Sequence, residues 1–220
     1  YLVVGIGINT NKEKFTDDIK YLATSIKKEF GIDELIKNMD IEEYKTSDAF
    51  KCIDKYILDY VTDKLFNGIG EYAKYNEYLD IRQNKYWYDS YKNEYAFLKV
   101  ALKFFEEIEK IENNIKTLDI DQFAKEYADK LYIIDTLYRK SYYYFDNIED
   151  KDMFIYLKNR IENRYVNSFI SELSIKWSDT IESMTSYDSN RMTMQDKFYN
   201  TYIKPYNDKK DRIIVIISDA

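Results

Sequence analysis

The chain has 220 residues, room for one or two domains and enough to bury a real core. It carries 33 basic and 40 acidic residues, a net charge of -7, which argues against a dominant phosphate-binding surface, so nucleic acid is not an expected partner of this region. With no His and one Cys, it holds no Ser-His-Asp triad, Cys-His pair, His-ligated zinc or internal disulfide.

Only 5 Gly and 1 Pro are available as turn formers, against 24 Tyr and 12 Phe. Many-stranded sandwiches and barrels need more, so an all-α fold of about seven or eight helices is predicted. No apolar run approaches the ~20 residues of a membrane span, and no basic stretch followed by an apolar leader appears. A cytoplasmic location without membrane attachment is therefore expected. The chain opens on Tyr1 and reads as a piece of a longer protein.

Residues 1–8, YLVVGIGI, are apolar and read as a short strand or the ragged start of a domain. Two glycines there resemble a phosphate loop only faintly, because no GK[ST] follows. Phe15, Ile19, Leu22, Ile26 and Phe30 recur at helical spacing up to Gly31. Thr46, Ser47 and Asp48 offer an N-cap to a helix whose stripe is Phe50, Ile53, Ile57, Val61 and Leu65. Asn67-Gly68 ends it, and Tyr72, Tyr75, Leu79 and Arg82 mark the next.

Trp87, Tyr91, Tyr95, Leu98, Leu102, Phe105 and Ile108 form a further face. After a break at Leu118-Asp119, Phe123, Tyr127, Leu131, Ile134, Tyr138 and Tyr142 make another. The longest stripe runs Leu157, Ile161, Tyr165, Phe169, Leu173, Trp177 and Ile181, room for one helix of about eight turns. It predicts a central packing helix with Trp177 as a core anchor. Residues 186–190 are polar, and Phe198, Tyr199 and Ile203 belong to a last short helix stopped before Pro205.

The end differs in kind. Residues 213–217, IIVII, form a continuous β-branched run followed by Ser218, Asp219 and Ala220. Such a run is what a parallel strand buried on both faces looks like. The expected division is a helical domain over 1–211 and the first strand of a second domain over 212–220. Left unpaired, that strand is expected to fold back beside residues 1–8 or to pair with a second copy.

A buried strand that ends in a carboxylate is how metal-dependent α/β phosphohydrolases deliver a metal ligand to the crevice above the sheet. Residues 215–220, VIISDA, are similar to the strand opening the alkaline-phosphatase-superfamily domain in the PglZ family of bacterial phage-exclusion (BREX) defence systems. The helical part carries matches in the same order. They are Asp48-Ala49-Phe50, Ile53-Asp54-Lys55 and Ile57, then Arg82, Trp87-Tyr88 and Tyr95. YIIDTLYR at 132–139, Tyr165, Asn167, Leu173, Lys176-Trp177, Gln195, Phe198-Tyr199 and Pro205 complete the pattern. The chain thus resembles that family, closest to its type A subgroup, well from Thr46 to Ala220 and loosely before.

The resemblance implies that Asp219 is a ligand to a divalent metal, zinc or similar, in the full-length protein. It implies a helical scaffold preceding a metal-dependent phosphohydrolase domain, with other phage-defence proteins as partners. The alternative is a helical protein–protein interaction module of a defence complex with no catalysis of its own. A two-metal site needs several carboxylates or imidazoles converging at about 4 Å metal spacing. No catalytic or cofactor-binding residue is therefore expected within these 220 residues. Asp54, Arg82, Asp135 and Arg139 read as a polar network tying helices together, with Asp135 and Arg139 at pairing distance along one helix. Trp87 and Trp177 read as core anchors rather than base-stacking platforms, and Cys52 as a small buried apolar residue.

Overall fold

Among the described residues, apolar residues recurring at three and four positions form helices that turn most of that face inward. A computed structural model describes residues 36–68, 70–111, 119–184, 193, 195–209 and 211–216. Among them α1 is a single turn at Ile41–Tyr44, α2 is Cys52–Phe66, α3 is Tyr72–Arg82 and α4 is Lys92–Ile111. Next, α5 (Ile120–Glu126) runs through a π-helical stretch, Tyr127–Leu131, into α6 (Tyr132–Asp146). In the same way α7 (Ile155–Asn163) runs through Arg164–Ile170 into α8 (Ser171–Glu182). A short α9 (Lys204–Asn207) follows a third π-helical stretch, Tyr199–Ile203.

The all-α expectation is met. The centre is α4, which packs against α2, α3, α6 and α7. Its Tyr95, Phe97, Leu98, Ala101, Leu102, Phe104, Phe105 and Ile108 are all buried, more of its circumference than one amphipathic stripe supplies. Phe97 touches Phe145 and Phe154 with ring centroids 5.7 Å from each, which locks α4 to the end of α6 and the start of α7. From α2, the predicted Ile53, Ile57, Val61 and Leu65 are buried, and Leu58 joins them.

Some sequence expectations are corrected. Thr46, Ser47 and Asp48 do not cap α2, which starts at Cys52 after Lys51. Instead the Ser47 hydroxyl accepts the Ala49 amide at 3.2 Å in a local turn, an alternative these side chains favour. Pro205 does not follow the last helix but sits in the first turn of α9, where its missing N–H is harmless. Cys52 is half-buried.

The long stripes also change phase. Four-residue steps overshoot a 3.6-residue turn by about 40° each, so an apolar line drawn at that spacing creeps round a straight helix. The π-helical stretches absorb only part of this. On α7 Leu157 and Ile161 are buried and so is Phe169, but Leu173, Trp177 and Ile181 are half-buried. Trp177 is thus not a core anchor. It leans on Phe123 at 5.2 Å between ring centroids.

The expected strand at 213–217 is not formed in its described part. Residues 211–216 have no strand partner among the described residues, and Ile214 and Ile216 are 75% and 86% exposed. A β-branched run buried on both faces needs neighbouring strands, and none exists among the described residues. The segment 1–8, the stripe from Phe15 to Phe30, the polar break at 186–190 and Asp219 lie outside the described residues.

Candidate functional site

The strongest polar constellation lies inside the bundle, between α2, α3 and α4. Asp54 and Arg82 are both 0% exposed. Arg82 donates from Nε to Asp54 Oδ1 at 2.9 Å and from Nη2 to Asp54 Oδ2 at 2.8 Å, a two-pronged pair. Its Nη1 donates to the carbonyls of Ser47 and Lys45, at 2.6 and 3.1 Å. The Tyr95 hydroxyl donates to Asp54 Oδ1 at 2.5 Å. Burial opposes the Arg82 charge, but the Asp54 carboxylate outweighs it and raises the guanidinium's pKa. Burial, reinforced by the negative Asp54, pushes the Tyr95 hydroxyl far above its ordinary range.

Beside it, the loop before α2 is fastened to the turn after α3. Asp48 accepts the Tyr86 amide at 3.2 Å, and its carbonyl accepts Trp87 Nε1 at 3.1 Å. Tyr88 stacks on Tyr95 at 5.0 Å. Trp87 is half-buried, with its indole nitrogen spent on this link.

A second constellation joins the first two π-helical stretches. Asp135 accepts from Tyr127 on one side and from Tyr165, at 2.7 Å, on the other. Tyr138 lies flat on Tyr165, centroids 3.8 Å apart and planes 9° apart. The bond to Asp135, then burial, pushes the Tyr127 hydroxyl up to about 12; for Tyr165 burial is the larger cause of a rise. Next to Tyr127, an open apolar groove of about 440 Å³ runs between α5 and α8, walled by Phe123, Leu173 and Trp177.

Comparison with known proteins finds a relative over most of the chain. The chain is 37% identical over 208 residues to the alkaline phosphatase-like protein PglZ of Bacillus cereus (strain H3081.97), covering 93% of this chain and 24% of that protein. The chain belongs to the PglZ family. A second relative, the alkaline phosphatase-like protein BrxZ of Escherichia coli O9:H4 (strain HS), is 30% identical over 157 residues, 66% of this chain and 18% of that protein. The chain spans about a quarter of the length of the first relative and less of the second. No family model and no solved structure matches it.

In this PglZ-family region the sequence candidates fall into place unevenly. Asp54 and Arg82 meet directly, as a helix-tying network should. Asp135 does not take Arg139 as its partner among the described residues; two tyrosines take that place, since a phenol reaches from a neighbouring helix and needs no second charge desolvated. Sequence reasoning missed Tyr95, Tyr127 and Tyr165 as the donors. The available signal was the excess of Tyr over Phe, because buried phenols need acceptors.

Chemically, each oxygen of both carboxylates holds at least one donor. Asp54 has both oxygens engaged by Arg82 and Tyr95, and Asp135 has one tyrosine on each oxygen. Among the described residues no three His, Cys, Asp or Glu side chains converge to hold a metal ion, so these residues supply no ligand set for one. Nor is any described helix long and apolar enough to cross a membrane.

Proposed function

We propose that this PglZ-family chain is a helical scaffold standing before a metal-dependent, alkaline phosphatase-like phosphohydrolase domain in a phage-defence protein. Residues 1–211 make the scaffold and 212–220 open the second domain, where Asp219 binds a divalent metal, zinc or similar. The observation that carries this reading is the closed Asp54–Arg82–Tyr95 network. Its acid and base are fully buried and bonded to each other, which suits holding helices and not attacking a substrate. Both relatives are named alkaline phosphatase-like, and both are several times longer than the stretch aligned with this chain.

The test is hydrolysis of a generic phosphodiester by the full-length parent with added divalent metal. The expected result is activity in the parent, none in its Asp219→Ala variant, and near-normal activity in Tyr127→Phe. Activity that survives Asp219→Ala would overturn the assignment of that residue.

A second reading, an interaction module for other phage-defence proteins, is favoured by the groove over Phe123, where Leu173 and Trp177 remain half-buried. Retention of partner subunits by residues 1–211 supports it, and loss of that retention in a folded Trp177→Ser variant would place the contact there.

A further inference from the structure

A stripe on α2 lies at the edge of the core, with Tyr56 and Tyr60 half-buried against it and Asp59 and Asp63 exposed. Tyr56, Asp59, Tyr60 and Asp63 stand at i, i+3, i+4 and i+7, so they share one face of the helix. That face, together with α1 and the start of α3, encloses a solvent-open cavity of about 480 Å³. Small-molecule and side-chain pockets fall at roughly 300–1,000 Å³.

The cavity's chemistry is unusual for a surface hollow. Four tyrosines line it: Tyr56 and Tyr60 from α2, half-buried, and behind them the buried Tyr44 from α1 and Tyr78 from α3. Four carboxylates rim it: Asp40, Glu42, Asp59 and Asp63, against two lysines, Lys37 and Lys74. Aromatic faces carry negative potential and attract organic cations, more strongly where water is partly excluded. Carboxylates alongside add hydrogen-bond acceptors for an N–H-bearing head.

The chain's own lysines already show this mode. Lys45 lies over the Tyr78 ring at 5.1 Å while its ammonium contacts Glu42 at 2.6 Å and Glu77 at 3.2 Å. Lys64 lies over Tyr60 at 5.1 Å and Lys74 over Tyr78 at 5.8 Å. Glu42 is fixed in the rim by the Tyr78 hydroxyl, which donates to it, and by Lys45. These two bonds, Lys45 first, hold its carboxyl below the ordinary range, so it stays ionised at neutral pH.

We propose that the cavity between α1, α2 and α3 binds an organic cation, the guanidinium or alkylammonium head of a basic side chain or polyamine, between tyrosine faces and the acidic rim. The cavity shares no lining residue with the clusters around Asp54 and Asp135. It needs no metal and no residue outside those described.

Isothermal titration calorimetry of the full chain at low salt tests this, with a capped tetra-arginine peptide and with spermidine as separate probes. The expected result is saturable binding of at least one probe, weakened by raised salt. Asp59→Asn and Tyr56→Leu should each weaken it about threefold to tenfold, while Tyr56→Phe, which keeps the ring, should not. Asp59 is exposed and its substitution leaves the core alone, so this variant reports on binding even if Tyr56→Leu misfolds. Peptide binding without spermidine binding assigns the site to a protein side chain; the converse assigns it to a free polyamine. No heat with either probe would overturn the proposal, as would equal weakening by the distant control Asp146→Asn.

Discussion

At Asp54 one carboxylate carries an arginine and a tyrosine, all three inside the bundle. Removing a single partner leaves the other charge buried and alone. Asp54→Ala is expected to cost about 3–5 kcal/mol. The pair Asp54→Leu with Arg82→Met should recover much of that loss, because two apolar groups desolvate at no charge penalty. Urea denaturation of the two variants is the check; equal destabilisation would mean that packing, not charge, sets the cost. Tyr95→Phe takes away one donor and should cost about 1–3 kcal/mol.

The same tyrosines set a pH limit. Burial, together with the Asp54 charge, raises the Tyr95 pKa above its ordinary value, and burial is also the larger cause for Tyr78 and Tyr165. A raised acid in the fold stays protonated where the unfolded chain has lost its proton. The stability it contributes is complete below the unfolded value near pH 10, and it is lost as pH climbs through the folded value. The melting temperature should therefore fall steeply above about pH 10, with the tyrosinate absorbance of these buried tyrosines appearing together with unfolding. Free titration of all the tyrosines at pH 10, before any unfolding, would contradict this.

On the scale of elements, the π-helical stretches decide which side chains count. Leu157 lies ahead of Arg164–Ile170 and is 0% exposed, whereas Trp177 lies beyond it and is half-buried. Leu157→Ala should cost about 2–5 kcal/mol, and Trp177→Ala less, about 1–3 kcal/mol, despite deleting the larger group. Thermal melts of both variants give the order; the reverse order would put Trp177 back in the core. At the end of α2, Gly68 has φ 74°, and a Cβ there would meet Arg160 Nη2 at 2.8 Å. Arg160 also donates to the Phe66 carbonyl, closing the helix end from α7. Gly68→Ala strains the backbone and displaces this arginine, and is expected to lower stability by about 1–2 kcal/mol.

For the whole molecule, the exposed run at 214–216 is the liability. Ile214, Val215 and Ile216 are 75%, 52% and 86% exposed. Ending the chain at Asp211 should improve solubility and leave circular dichroism almost unchanged. Loss of helix on that truncation would show the run to be part of the helical core.

Composition and spacing alone determined the helical class, the five long helical paths and most of their buried faces. These follow from local rules: few turn formers, and apolar residues at a helix's own period. The order of motif residues was enough to reveal the family. Tertiary structure decided the partners. That Tyr95 reaches Asp54, that two tyrosines rather than Arg139 take Asp135, and that a tyrosine–carboxylate stripe on α2 closes a cavity with α1 and α3, all depend on contacts between distant segments. Spacing within a helix fixes which face a residue lies on. Only the crossing of one helix over another fixes what that face meets.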